Sequence, residues 1–208
     1  MTKTITRAYD DYASAEATVR ELRNAGLSDG QIGLVASNAE GWHKPGDENV
    51  DPAHDKDRDG KDDRAEGAAT GGGIGAVAGG AAGIAAGLGL IAIPGIGPVV
   101  AAGWLAALAA GAVGGGVAGG LIGALVESGT SKENAEVYAE AVRRGGAIVT
   151  AKVPDEEEVG YAAIMDNQAF DVSARESVWR KSGWTGYDAD APAYDPEQVR
   201  RERETYRL

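Results

Sequence analysis

Polar and apolar residues alternate from Thr2 to Tyr9, the period of a half-buried strand. The spacing then changes to that of a helix: Ala15, Val19 and Leu22 share one face of a segment that Asp10 or Asp11 can cap and Gly26 can end. Gln31 to Ser37 is a short apolar run behind the turn formers Ser28-Asp29-Gly30, so a second strand is expected and residues 1–37 read as a βαβ unit. Further on, Ser131 can cap a helix with Ala135, Tyr138, Ala141 and Val142 on one face and Gly145 at its end. A strand, Gly146 to Val153, follows. Asp155 and Glu158 have the spacing of a capping box for a helix over Glu156–Asn167, and Ala169–Ala174 is expected as a last strand. Neither half buries enough apolar surface alone, so strands from both sides of the intervening region must share one sheet. The expected fold is α+β: a small ferredoxin-like split βαβ domain made of 1–37 and 127–173. It is interrupted by an acidic loop (38–66) and a Gly/Ala-rich insertion (67–126), and a flexible C-terminal tail (174–208) follows it.

The insertion has its own pattern. From Gly67 to Val126 there are 20 Gly, 18 Ala and 19 Ile, Leu, Val or Trp among 60 residues, and no charged side chain. Gly71, Gly75, Gly79, Gly83 and Gly87 recur every four residues; Gly103, Ala107, Gly111, Gly115, Gly119 and Gly123 repeat the spacing after Ile93-Pro94-Gly95-Ile96-Gly97-Pro98. On a helix such small residues form a ridge along which two backbones approach closely, a glycine zipper, so a helical hairpin is expected. Each interior glycine costs a helix about 0.8–1.0 kcal/mol relative to alanine, so the arms need close packing or a bilayer to be helical. Thr70–Ile91 would be about 33 Å long and Val99–Val126 about 42 Å, enough for a hydrocarbon core of about 30 Å. The expectation is a transmembrane hairpin with both flanks in the cytosol, where Lys56, Arg58, Lys61 and Arg64 suit the cytosolic side. The alternative is a soluble homo-oligomer whose hairpins pack between subunits.

Composition narrows the chemistry. With no cysteine, disulfides, thiolate nucleophiles and cysteine-held metals are excluded. A net charge of −12 without a basic stripe argues against nucleic acid as partner. The first residues, MTKTITRAYDDYAS, do not read as a signal peptide, so the start of the chain is expected in the cytosol. Gly73-Ile-Gly75-Ala-Val-Ala78 fits a dinucleotide fingerprint in spelling, yet no acidic residue follows at the required distance, and the zipper accounts for those glycines better. His43 and His54 stand in the acidic loop, where solvation is their ordinary state. No nucleophile with a partner base is evident, so neither an enzyme nor a small-molecule substrate is expected.

One cation site is spelled out. Asp55, Asp57, Asp59, Lys61, Asp63 and Glu66, with Gly60 at the sharp turn, match a calcium-loop pattern in which alternate carboxylates and one backbone carbonyl converge on a hard cation such as calcium. Asp62 stands where such loops carry an aliphatic residue, and Pro52 spoils an entering helix; a solvated acidic linker is the competing reading.

The stretches TRAYDDYASAEATVRELRNAGL, GIGAVAGGAAG, IPGIGPVVAAGW and AEVYAEAVRRGGAIVTAKV resemble the heat-induced, YflT-like general stress protein family, over most of residues 4–172. The resemblance implies a bacterial, stress-regulated, non-enzymatic protein and brings no catalytic residues with it. Together with the hairpin it gives the functional expectation: a stress-response protein anchored on the cytoplasmic side of the inner membrane, or, in the alternative, a cytoplasmic self-assembling one that also binds calcium.

Overall fold

A computed structural model describes residues 1–43, 89–93, 96–106 and 120–206. The elements in chain order are β1 (Thr2–Tyr9), α1 (Tyr12–Asn24), β2 (Ile32–Ser37), β3 (Gly89–Ile93), β4 (Gly97–Gly103), α2 (Gly120–Glu127), α3 (Lys132–Arg143), β5 (Ala147–Pro154), α4 (Glu158–Asp166), α5 (Val172–Lys181) and α6 (Pro196–Tyr206). The caps expected for the two long amphipathic helices are present. Asp11 accepts the Ser14 N–H at 2.9 Å to start α1, and Ser131 accepts the Asn134 N–H at 3.2 Å to start α3.

The strands form one sheet in the order β1-β5-β2-β4-β3, every neighbouring pair antiparallel. β1 and β2 therefore run parallel with β5 between them, and β4 and β5 run parallel with β2 between them. The fold is α+β, and the two halves of the sequence do share a sheet. Alternate residues of each strand face opposite layers. On one face Ala15, Val19 and Leu22 of α1 and Tyr161 and Met165 of α4 pack on Ile5, Leu34, Val149 and Val153. On the other, Tyr138 and Val142 of α3, Leu121 and Leu125 of α2 and Trp179 of α5 pack on Val35, Val99 and Ile148. β2 is buried along its whole length, as a strand covered on both sides should be. A ferredoxin-like sandwich keeps its crossover helices on one face, whereas here α1 and α3 lie on opposite faces. A half-turn about the sheet normal relates the strands of the two split units but not their helices, which lie on opposite faces, so the two crossovers have opposite hands and one departs from the usual right-handed connection.

Four local expectations are corrected. Ile93 to Pro98 does not join two helical arms: β3 and β4 flank it as a β-hairpin, and Val99, Val100, Ala101 and Ala102 are buried in the sheet. Pairing of β4 with β2 and of β3 with β4 holds these strands in the sheet, and Pro98 is tolerated at the second residue of β4, where its carbonyl still accepts the Asn38 N–H at 2.8 Å. Ala169–Ala174 is not a strand. Phe170 donates one backbone hydrogen bond to the Ala8 carbonyl at 3.0 Å, and Asp171 then caps α5 by accepting from Ala174 N–H at 3.0 Å. Asp155 and Glu158 make no capping box, because a 3-10 turn over Asp155–Glu157 precedes α4 and Glu158 is drawn to Lys3 at 2.7 Å. The C-terminal stretch carries two docked helices, with Trp179 and Val199 fully buried, so it is no flexible tail between Ala174 and Tyr206.

Two glycines of the expected zipper can be compared directly. Gly103 ends β4 at φ +67°, and a Cβ there would run into the Ile32 carbonyl. Gly123 lies on α2 with open space where a Cβ would stand. Gly103→Ala should destabilise the fold by about 2–4 kcal/mol, the sum of left-handed strain and backbone crowding. Gly123→Ala should stabilise it by about 0.5–1 kcal/mol through helix propensity alone. Urea midpoints of the two variants check this, and equal losses at both positions would restore the zipper reading for this pair.

Candidate functional site

Most residues singled out from the sequence lie outside the described residues: the calcium-loop set Asp55, Asp57, Asp59, Lys61, Asp63 and Glu66, and the small residues Gly71, Gly75, Gly79, Gly83, Gly87, Ala107, Gly111, Gly115 and Gly119. Gly103 belongs to a strand end and Gly123 to α2, so these two do not share a helix-packing ridge.

The densest polar cluster of the described residues sits where the C-terminal helices meet the end of α3. Glu140, Arg143 and Arg144 fall on one side of α3 by their i, i+3, i+4 spacing. Glu140 is fully buried; it accepts from Arg143 at 2.6 and 2.8 Å and from Arg144 at 2.5 Å. Arg144 also donates to Glu202 of α6 at 2.9 Å, and Glu202 accepts the Trp179 indole N–H at 2.8 Å and the Tyr206 hydroxyl at 3.2 Å. Arg143 donates to the Pro192 carbonyl at 3.1 Å. The arginine faces are stacked: Arg144 lies 4.7 Å from the Trp179 ring centre, and Arg143 lies 5.1 Å from that of Tyr194. Burial by itself would lower the pKa of the Arg144 guanidinium, but Glu140 and Glu202 outweigh it and hold the value above that of an ordinary arginine.

α6 is fixed at three further points. Val199 sits directly over Gly145, where φ is +100° and a Cβ would strike the valine. Arg203 donates to the Gly145 carbonyl at 2.9 Å, to the Asp10 carbonyl at 3.2 Å and to Glu40 at 2.5 Å. Glu40 belongs to a turn that Asn38 closes by donating to the His43 carbonyl at 2.8 Å and accepting the His43 N–H at 3.0 Å, and Trp42 in that turn stacks on Tyr12 of α1 at 4.2 Å. The chain therefore leaves the sheet toward the acidic loop from a root clamped by α1 and α6.

Between these contacts remains a cleft lined by Tyr9, Arg144, Phe170, Arg175, Trp179 and Tyr206, with about 10 Å³ of interior space, the room of one water molecule. Two carboxylates offset two guanidiniums, and the hydrogen-bonding groups named here are spent on one another. The arrangement holds helices in place. Its sequence signature is Glu140-x-x-Arg143-Arg144 with a later Trp179 and an Arg/Glu-rich end; only the distance between them in the chain hides that they meet. Comparison with protein-family models, with curated proteins and with solved structures finds no match in any of the three.

Removing Glu140 would leave two largely buried guanidiniums without their shared acceptor. Glu140→Ala should cost about 3–5 kcal/mol and Glu202→Gln about 1–2 kcal/mol in urea unfolding. A pH dependence comes from Tyr9, whose hydroxyl donates to the Met165 carbonyl at 3.0 Å and whose pKa burial pushes up to about 12. The unfolded chain ionises near pH 10 while the folded one does not, so this contribution is intact below pH 10. It is lost as pH rises from 10 to 12, at about 1.4 kcal/mol per pH unit. Urea midpoints between pH 9 and 11.5 should fall, and Tyr9→Phe should reduce the slope without abolishing it, because burial also pushes the pKa of Tyr12 up to about 12.

Proposed function

We propose that this is a non-enzymatic bacterial stress-response protein that works by assembling with copies of itself. The stress role follows the family resemblance of residues 4–172. Assembly is preferred to a bilayer because of the fate of the apolar, charge-free stretch: where it is described, it builds the domain. Val99, Val100, Leu105, Leu121 and Leu125 are buried in the sandwich, so this part of the expected second arm is satisfied without lipid. A hairpin whose turn at 93–98 lies across a bilayer is hard to reconcile with β3 and β4 joined to β2 in one sheet. The packed cluster at α6 and the one-water cleft support a structural role over turnover.

Membrane anchoring is the second reading, and one observation favours it: residues 67–88 form 22 consecutive positions without a charge. No helix among the described residues is long and apolar enough to cross a membrane. An anchor at 67–88 would have to enter and leave on one side, because β2 before it and β3 after it belong to the same sheet. Expression of the full chain followed by fractionation and light scattering separates the readings. Recovery in the supernatant without detergent, as a species of more than one subunit, is the expected result. Sedimentation with membranes and release only by detergent would replace assembly by anchoring.

A further inference from the structure

β3 ends the sheet, and among the described residues no strand pairs with its outer side. The register shows which of its backbone groups face outward. Ala92 lies opposite Pro98, which has no N–H and whose carbonyl is turned to Asn38 on the β2 side. Ala92 and Pro98 are therefore a non-hydrogen-bonded pair, and by alternation so are Leu90 and Val100. The N–H and C=O groups of Leu90 and Ala92 point away from β4.

The two edges of the sheet are unlike. β1 carries Lys3 and Arg7, paired with Glu158 and Asp166, and the Ala8 carbonyl is already taken by Phe170. Charged side chains of this kind protect an edge against further pairing. β3 reads Gly-Leu-Ile-Ala-Ile, without a charge, a proline or a lysine. Each molecule carries a net charge of −12, and the uncharged sequence around β3 lets two copies meet there without placing like charges of that segment together.

We propose that β3 pairs antiparallel with β3 of a second copy about a two-fold axis at Ile91. The pairing is self-complementary, as a two-fold interface must be. Leu90 of one copy then faces Ala92 of the other, and each such pair exchanges both N–H···O=C bonds through groups that point outward. Ile91 meets Ile91 of the second copy as a non-hydrogen-bonded pair with Cα atoms about 4.5 Å apart. The sheet continues across the axis. This rests on the assembly reading above and names its contact.

The absence of native cysteine makes the test direct. Full-length Ile91→Cys should form a disulfide-linked dimer under mild oxidation, since about 4.5 Å lies within disulfide range. Val159→Cys, on an exposed position of α4, should not. Leu90→Pro combined with Ala92→Pro removes outward N–H groups and no β3–β4 bond, so it should leave the circular dichroism spectrum unchanged and reduce the sedimenting species to a smaller one. Cross-linking of Ile91→Cys no better than that of Val159→Cys overturns the proposal, as does a folded double-proline variant that keeps the wild-type assembly. In both cases an oligomeric wild type leaves the assembly reading standing. A monomeric wild type removes both.

Discussion

The fold depends on β5 lying between β1 and β2. Its residues Ala147–Pro154 pair on one side with the whole of β1 and on the other with β2, so strands separated by more than a hundred residues are joined through it. Neither the βαβ unit at the start nor the helices and strand that follow residue 127 can close an apolar core alone. Once β5 is inserted, α1 and α4 cover one face and α2, α3 and α5 the other. The long excursion between β2 and β5 is tolerated because the cost of closing a loop grows only slowly with its length. β3 and β4 then extend a sheet whose centre is already sealed on both faces.

The second layer of organisation is electrostatic. Glu140 is fully buried, a position that a carboxylate holds only when its partners are fixed around it. Arg143 and Arg144 supply the partners, and their stacking on Tyr194 and Trp179, together with Glu202, carries the constraint into the C-terminal helices. α6 fully buries one valine, packs Tyr206 against the core and otherwise uses charged groups, so its docking depends strongly on the geometry of this cluster. Arg203 extends it to Glu40, at the root of the acidic loop. The C-terminal helices, the end of β1 at Asp10 and the base of the loop thereby meet around the end of α3.

The Gly/Ala-rich region shows how one periodicity can serve two structures. A spacing of four places small residues along one ridge of a helix, but four is also a multiple of two, so the same residues share one face of a strand. At β3 and β4, pairing of β4 with β2 and of β3 with β4 selects the strand. Gly103 is then required by its positive φ and by the Ile32 carbonyl beside it, where the zipper would have assigned it to helix contact. The metal loop expected at Asp55–Glu66 and the remaining zipper positions fall outside the described residues.

Local physics was readable from the chain itself. The caps at Asp11 and Ser131, the glycine stops at Gly26 and Gly145, the apolar faces of α1 and α3, and the need for both halves to share a sheet all follow from short-range pattern. These depend on residues within a turn or two of one another. Tertiary structure decided the rest. Glu158 left its capping role because Lys3 came within reach across the sheet, and Asp171 became a cap because the chain turned away after one bond to Ala8. The tail docked because Arg143, Arg144 and Trp179 offered a buried site for Glu202, a site built from three separate segments. The placement of helices on both faces could not be read from amphipathicity, since an apolar stripe specifies that a helix is buried and not on which side of the sheet. That choice is made by the hand of each crossover, and one of the two here departs from the usual right-handed connection.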